Sequence, residues 1–315
     1  MLLKQVMQVV ELLDRPEVPA EDVARLFAAP GVPGAEIHAE RGPTLMFKLL
    51  IPGSQGKSTG GDAPTLGITG YLGGIGARPQ RIGLVSDADG CVATSSVDEA
   101  VIRTARPEMP TAVVPNAVDT DYFHPSPAPA DPEGIVFVAS LSYRPNTDAV
   151  AWFTDQVLPR VRRARPGAVL TVVGKGPPTW LRRLEGPGVV VTGAVDDVRP
   201  FLERASVVVA PLRVGSGTRL KVLEGLSMAK AVVSTTLGAE GLDVADGEHL
   251  LLADDPAELA DTILRVMADP ALAGRLGAAG RALVLERYGW ASAAARLEAF
   301  HAEVAGVEVG GGPWR

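Results

Sequence analysis

The stretch "PLRVGSGTRLKVLEG", residues 211–225, has the residue types of an anion-binding loop. It follows the end of a valine-rich strand, its glycines permit a sharp turn, and a helix is expected to begin near Thr218. The first free N–H groups of a helix bind anions such as a diphosphate, and glycine lets the backbone approach closely. Arg219 and Lys221 fall within the first turn or so, where cations oppose the helix dipole unless an anion is bound. The pattern predicts an anion site that includes Gly217.

Glu224 lies three residues beyond Lys221 and seven beyond Gly217, so the three residues share one face of the expected helix. A carboxylate there can accept hydrogen bonds from both hydroxyls of a ribose. The alternative is that Lys221 and Glu224 form an ordinary surface pair, worth about 0.2–0.5 kcal/mol. The glycine loop upstream favours the ligand interpretation.

Two further loops carry cations after expected strands. "SLSYRPNTDA" offers Arg144 and Asn146 ahead of a helix, and "VGKGPP" offers Lys175. Gly174-x-Gly176 is not a dinucleotide fingerprint, because two prolines stand where the helix start and third glycine would be. Each loop alone is compatible with a solvated turn. Three cationic loops at one edge of a sheet favour a shared ligand site.

"PGSQGKSTGG", residues 52–61, resembles the end of a phosphate-binding P-loop but does not satisfy its spacing. A P-loop needs a glycine five residues before the Gly56-Lys57 pair, and that position holds Ile51. No helix is expected promptly after the segment, so the N-terminal N–H groups that would face a phosphate are absent from the pattern. A glycine-rich surface loop is predicted here.

Composition excludes several classes of protein. The 315 residues suggest about two domains, and the net charge of −7 argues against broad nucleic-acid binding. A single cysteine, Cys91, excludes an intramolecular disulfide and a cysteine-based zinc site, and the four histidines have no metal-ligand spacing. No run approaches the ~18 apolar residues of a transmembrane segment. We expect a cytoplasmic protein with no metal site and no nucleic-acid partner.

The second half of the chain alternates strands and helices. Between the earlier strands lie helices, of which "TDAVAWFTDQVLPRVRRA" places Val150, Phe153, Val157 and Val161 on one face. Continuous Val, Ile and Leu strands suit a parallel sheet covered on both sides, which gives a doubly wound α/β fold with its ligand at the carboxyl ends of the strands. Strands are expected at "IVFVAS", "AVLTVV", "VVVTG", "SVVVAP", "AVVST" and "HLLLA".

The N-terminal part does not show this regular alternation of strands and helices. Residues 1 to about 33 are predicted to be helical, and "TLMFKLLIP" and "RIGLVSDADG" each contain a strand, while the glycine-dense segment 53–76 predicts no regular element. "CVATS" is a short buried strand. Ser96 and Glu99 form a capping box that starts the helix "VDEAVIRTAR". The Pro-rich "SPAPADPEG" is a linker between two domains.

Seven segments, in order, resemble glycosyltransferase family 4, which has the GT-B fold. The resemblance covers about residues 86–300 and is closest to bacterial members with "GGGTRLKVLEA"-like motifs. The matching segments are "VVPNAVDTDYFHP", "SYRPNTDAVAWF", "VVGKGPP", "VTGAVDDVRPFL", "PLRVGSGTRLKVLEG", "AVVSTTLGAEGL" and "ERYGWA".

The resemblance implies a nucleotide-sugar donor, a UDP- or GDP-sugar, bound by a Rossmann-like C-terminal domain. The sugar would be transferred with retention, without an essential metal and without a further cofactor. Carried over by motif, Arg144 and Lys221 would contact the diphosphate, and Gly217 and Thr218 would supply N–H groups. Glu224, the second of two family glutamates, would hold the ribose, and "GAVDD" would border the base.

Two departures from the family pattern stand out. The position of the first family glutamate is Ser216 here, and close relatives with the glycine variant also lack that glutamate. Only residues ~86 to 125 look like the end of a GT-B N-terminal domain, while residues 1 to about 90 resemble an uncharacterised bacterial family. Asp62, Asp87 and Asp89 are either polar site residues of that second family or solvated loop carboxylates.

The chain is therefore expected to combine a GT-B-type, doubly wound C-terminal domain with an incomplete or atypical α/β N-terminal domain. The leading hypothesis is a glycosyltransferase of hexosyltransferase type, acting on a saccharide or lipid-linked acceptor. The alternatives are a nucleotide-sugar-binding remnant or fusion without transferase activity, and a function in the N-terminal segment. A homo-oligomer is left open. The expected domains are 1–90, of unknown function; 91–125, the end of a GT-B-like N-terminal domain; a linker, 126–133; the nucleotide-sugar domain, 134–300; and a tail, 301–315.

Overall fold

The computed structural model of the chain describes residues 36–40, 46–50, 66–68, 89–126, 129–215 and 219–306. The described residues divide into two compact units, one up to Asn116 and from Trp290 onward, the other Ala117–Gly289. The predicted N-terminal helices, the loop 52–61, Asp62 and Asp87 lie outside the described residues. The domain boundaries expected from the sequence stay predictions.

The first unit contains two small sheets. Strands β1 (Glu36–Glu40) and β2 (Met46–Leu50) are antiparallel. Strands β3 (Leu66–Ile68), β4 (Gly90–Ala93) and β5 (Thr111–Val113) form a parallel sheet in that order. Strands β2 and β4 were expected, whereas β1 was not, and β3 lies in the glycine-dense segment for which no element was predicted. The strand expected in "RIGLVSDADG" falls mostly outside the described residues.

The N-cap of helix α1 (Ser96–Ala105) lies one residue earlier than predicted. The N-cap is Ser95, whose Oγ accepts a hydrogen bond from the Asp98 backbone N–H at 3.1 Å and donates to the Asp98 carboxylate at 2.7 Å. The predicted capping box from Ser96 to Glu99 was therefore wrong in register. Glu99 instead pairs with Arg103 at 2.9 Å, one turn along the helix.

The second unit is built on a six-stranded sheet that is parallel throughout. Its strand order is β11-β10-β9-β6-β7-β8, so β6, the first strand of this unit in the chain, lies in the middle. All six strands were predicted from the sequence, although β6 begins inside the expected linker. The strands are β6 (Asp131–Val138), β7 (Val169–Val173), β8 (Val189–Gly193), β9 (Ala205–Ala210), β10 (Val232–Ser234) and β11 (Leu251–Leu252).

Helices cover both faces of this sheet. Neighbouring residues of a strand, such as Ile135 and Val136 or Val207 and Val208, point into two different buried clusters. The expected buried face of Val150, Phe153, Val157 and Val161 is confirmed. The helices are α2 (Arg144–Trp152), a π-helical turn (Phe153–Val157), α3 (Leu158–Ala164), α4 (Thr179–Arg182), α5 (Arg199–Arg204), α6 (Leu220–Ser227), α7 (Pro256–Ala268), α8 (Pro270–Arg287) and, in the first unit, α9 (Trp290–Ala305).

Candidate functional site

The candidate site lies at the carboxyl ends of β6, β7 and β9. Strand β6 pairs with both other strands, so the loops that follow the three strands are neighbours at one edge of the sheet. Helix α6 follows β9 and begins at Leu220, with Arg219 at the N-cap, slightly later than the expected start near Thr218. Gly217 and Thr218 lie outside the described residues, so their contribution of N–H groups stays a prediction.

Lys221 and Asn146, 75 residues apart in the chain, are in direct contact. Lys221 Nζ donates a hydrogen bond to Asn146 Oδ1 and lies 5.0 Å from the centroid of the Phe137 ring. Asn146 is only 6% exposed, and its Nδ2 donates to Ser140 O at 2.8 Å. Because β9 lies next to β6, the helices that follow these strands, α6 and α2, can bring the two residues into contact.

Lys221 and Glu224 have pKa values moved toward each other. Burial, assisted by the nearby positive charge of Arg219, lowers the pKa of Lys221 to about 7. Burial also raises the pKa of Glu224 to about 7, with the charge of Lys221 acting in the opposite direction. Both residues keep part of their surface exposed, so a ligand can reach them. Within the described part of the chain, no side chain or backbone group forms a hydrogen bond or ion pair with the Glu224 carboxylate.

Arg219, which the sequence predicted to be a donor-binding residue, is held by contacts within the protein. It is 4% exposed, and its guanidinium donates to Gly215 O at 3.0 Å and to Leu237 O at 3.2 Å. Glu240 lies 3.7 Å away, and burial lowers the pKa of Arg219. These contacts tie the loop after β9 to the segment after β10. A direct contact between Arg219 and a donor stays a prediction.

Arg144 and Lys175 are both exposed at the same edge. Arg144 is the first residue of α2, and Lys175 follows β7. The two loops are joined by a hydrogen bond from Leu141 N to Lys175 O at 2.8 Å. This close approach requires Gly174, which has φ +155° and where a Cβ would lie 1.7 Å from Ala139 O. The structure thus brings Arg144, Asn146, Lys175, Arg219, Lys221 and Glu224 to the loops and helix starts at one edge.

Two ion pairs, one at the loop after β9 and one after β8, were not predicted. Arg213 donates to Asp148 at 2.8 Å, which links the loop after β9 to α2. Arg199 forms a two-pronged pair with Asp197, in the "GAVDD" segment, and stacks 3.9 Å from the centroid of the Tyr122 ring. The hydrogen bond from Arg199 is the main reason that the pKa of Asp197 falls to about 2. No short-range pattern in the sequence marks the Arg213–Asp148 pair, because its partners are 65 residues apart.

The residues that the structure describes contain neither a metal-binding cluster nor a membrane-spanning helix. None of their His, Cys, Asp and Glu side chains form a group of three or more that could hold a metal ion. None of the helices among them combines the length and apolar character needed to cross a bilayer.

Two family models match the chain, and they cover different parts of it. The model described as "Glycosyl transferases group 1" matches residues 132–269. The model of a protein of unknown function, DUF1177, matches residues 35–110. This confirms the expectation of an uncharacterised family in the N-terminal part, although the match extends past residue 90 through β4 and α1.

Known proteins similar to the chain include a GDP-mannose-dependent alpha-(1-6)-phosphatidylinositol monomannoside mannosyltransferase of Mycobacterium tuberculosis. It is 28% identical over 213 residues, which cover 59% of this chain and 54% of the relative. A phosphatidyl-myo-inositol mannosyltransferase of Mycobacterium leprae is 31% identical over 156 residues, 47% of this chain and 41% of the relative. The chain thus spans about half the length of these curated relatives.

Among solved structures, sucrose-phosphate synthase from Thermosynechococcus elongatus superposes with a TM-score of 0.60 at 24% identity. The match covers 71% of this chain and 60% of that one. This likeness confirms the expected GT-B type of fold. The family match shows that residues 132–269 are similar in sequence to the glycosyl transferases group 1 family.

Proposed function

We propose that the chain is a glycosyltransferase that takes a sugar from a nucleotide-sugar donor bound at the carboxyl edge of the six-stranded sheet. One observation carries the proposal: Lys221 is held at the start of α6 without an acidic hydrogen-bond partner, and Glu224 follows one turn later with its carboxylate unpaired among the described residues. A cation followed by a hydrogen-bond acceptor is what a diphosphate joined to a ribose needs.

The spacing of the two residues suits neighbouring groups of a nucleotide. Three residues of α-helix rise by about 4.5 Å, and residues at this separation share one face. Lys221, with Arg144 and the N-terminal N–H groups of α6, would bind the diphosphate, since anions are favoured at helix N-termini. The Glu224 carboxylate would accept hydrogen bonds from the ribose hydroxyls. Bound donor would thereby offset the unfavourable burial of both charges.

The donor class is supported by the names of similar proteins. One relative is named as GDP-mannose-dependent, and a structural neighbour was solved in complex with UDP and glucose. We propose a UDP- or GDP-sugar as donor and a saccharide or lipid-linked acceptor. Transfer with retention, without an essential metal or further cofactor, is proposed from the family resemblance.

Calorimetry with UDP, GDP, uridine and guanosine tests the site. A ligand at a hundredfold excess over its Kd should stabilise the folded protein by ~2.7 kcal/mol. Lys221→Ala should weaken nucleoside diphosphates while sparing nucleosides, because only the charge partner is lost. Glu224→Ala should weaken both, because it removes the ribose acceptor.

Lys230→Ala is the matched control. Lys230 also has a pKa lowered by burial, but its Nζ donates to Glu203 O at 2.9 Å, in α5. Its replacement should change stability and leave nucleotide affinity as in the wild type. Folded Lys221 and Glu224 variants that bound all four ligands like the wild type would show that the site is assigned wrongly.

A second candidate is a nucleotide-sugar-binding protein that does not transfer the sugar. It is favoured by the match of residues 35–110 to a family other than the glycosyl transferases. The two candidates share the donor site and differ in turnover, so release of free sugar or formation of a glycoside from a labelled donor distinguishes them.

A further inference from the structure

Asn146 uses both ends of its side-chain amide inside the protein. Its Nδ2 donates to Ser140 O at 2.8 Å, and its backbone N–H donates to Tyr143 O at 3.0 Å. These bonds fix which end of the amide faces α6, so that the oxygen points to Lys221 Nζ and accepts its hydrogen bond. Because the residue is 6% exposed, little of its surface remains for a ligand.

The groups around Lys221 Nζ hold it without cancelling its charge. The first turn of α2 contributes the neutral amide of Asn146, and β6 contributes the Phe137 ring. On its own element the charged neighbours are Arg219, which opposes the ammonium, and Glu224, which favours it. A carboxylate in the place of the Asn146 amide would form an ion pair with Lys221 and reduce its attraction for an anion.

We propose that Asn146 is a positioning residue that orients the Lys221 ammonium toward the donor diphosphate while leaving its positive charge available, and that it does not itself contact the nucleotide. The sequence-based expectation placed Asn146 among the donor-binding residues, so this changes its role. The inference rests on the proposed function, because it assigns a diphosphate to Lys221.

The first test compares Asn146→Asp with the wild type, using UDP-glucose and GDP-mannose as probes because their diphosphates keep a constant charge near pH 7. Asn146→Asp should lower the affinity for the bound nucleotide sugar about tenfold at pH 7. The matching nucleoside, uridine or guanosine, should bind within about twofold of the wild type, which shows that the variant is folded. Ser142→Asp adds the same charge at an exposed position in the loop just before α2 and should have a much smaller effect.

The pH dependence separates positioning from direct contact. The pKa of Lys221 is about 7, so nucleotide-sugar affinity should fall as pH rises through that value. Asn146→Ala removes the acceptor of the ammonium and should move the midpoint of this fall to lower pH, whereas Asn146→Asp should move it to higher pH. Loss of a direct ligand contact would lower affinity equally at every pH and leave the midpoint unchanged.

A readout without nucleotide tests the contact independently of the proposed function. Trace labelling with acetic anhydride modifies only unprotonated amines, and mass spectrometry gives the fraction modified at Lys221 against pH. The midpoint should rise in Asn146→Asp and fall in Asn146→Ala. Unchanged midpoints in both variants, or wild-type nucleotide affinity in Asn146→Asp, would overturn the proposal. If the midpoints shift in the two variants while the wild-type protein binds neither UDP-glucose nor GDP-mannose, the contact is supported and the proposed function is contradicted.

Discussion

At the scale of single residues, the burial of two charged side chains in the candidate site lowers the stability of the ligand-free protein. Lys221 and Glu224 stand one turn apart with opposite charges, yet the Lys221 ammonium donates to an amide and the Glu224 carboxylate has no hydrogen-bond or ion-pair partner in the described part of the chain. Burial moves both pKa values to about 7, which means that burial disfavours both charged forms. Groups that destabilise the ligand-free state are expected where a ligand later supplies the missing interactions.

Lys221→Met should stabilise the ligand-free protein, and more at pH 6 than at pH 9. The pKa of Lys221 falls from 10.5 in the unfolded chain to about 7, so between these values the unfolded state binds more protons and stability rises with pH. The variant loses this dependence. Its gain over the wild type should be about 2–3 kcal/mol larger at pH 6 than at pH 9, measured by urea unfolding. Exposed Lys175→Met should show no such difference, and an equal gain at both pH values would contradict the burial of the charge.

Glu224→Gln should show the opposite dependence on pH. The pKa of Glu224 rises from 4.5 to about 7, so in this window the folded state binds more protons and stability falls as pH rises. The stability of the variant relative to the wild type should therefore be roughly 3 kcal/mol more favourable at pH 8 than at pH 4. Thermal or urea unfolding at the two pH values measures it. A difference that does not change with pH would mean that the carboxyl is well solvated.

At the scale of elements, α8 packs against the turn that ends α6. One glycine of α8 lies in this contact, and another faces open space. A Cβ added at Gly277 would lie 2.0 Å from Ala229 O, whereas one added at Gly274 would meet nothing within 4 Å. Gly277→Ala should destabilise the protein by about 1–3 kcal/mol, because backbone must shift to make room. Gly274→Ala should stabilise it by about 0.5–1 kcal/mol through helix propensity. Equal effects of the two substitutions in urea unfolding would contradict this packing.

The elements that could be predicted were those with a strong local signal. Buried parallel strands are continuous runs of Val, Ile and Leu, so all six strands of the large sheet were found, even the two residues of β11. Strand β3 was missed because its three residues, Leu66–Ile68, include a glycine. The N-cap of α1 was predicted one residue too late, because the adjacent serines Ser95 and Ser96 both suit the position.

The candidate site was only partly predictable for a related reason. That Lys221 and Asn146 each follow a strand can be read locally, but their contact depends on β9 lying next to β6, an order that no local pattern specifies. The internal role of Arg219 was missed because a charged residue at a helix start was expected to face solvent or ligand, and its buried carbonyl partners lie in other segments. Long-range contacts of this kind need the fold.

At the scale of the whole molecule, the two family matches do not overlap. The glycosyl transferases group 1 model matches residues 132–269, while the DUF1177 model matches residues 35–110. The described residues likewise divide into two units. The proposed donor site lies wholly within the second unit. We therefore expect nucleotide binding to be a property of Ala117–Gly289 that does not depend on the function of the remaining residues.

Turnover is expected to differ from binding. Transfer needs an acceptor held against the donor, and such positioning can supply ~7–11 kcal/mol of the barrier. Outside 132–269, the family match of this chain is over residues 35–110, to a family of unknown function. We therefore expect the purified chain to bind donor and to transfer sugar slowly or not at all, unless a second polypeptide, such as another copy of the chain, completes the cleft.

The rate of sugar transfer can be measured with radiolabelled UDP- and GDP-sugars. These donors are mixed with saccharide or lipid acceptors over a wide range of protein concentration. Donor affinity should be independent of protein concentration, whereas any transfer completed by a second copy should rise more steeply than linearly with it, because the active species is then an oligomer. Lys221→Ala provides the background, since it should lose donor binding and with it any transfer. Multiple turnovers in simple proportion to concentration would contradict the prediction, and would mean that the first unit of this same chain supplies a working acceptor site.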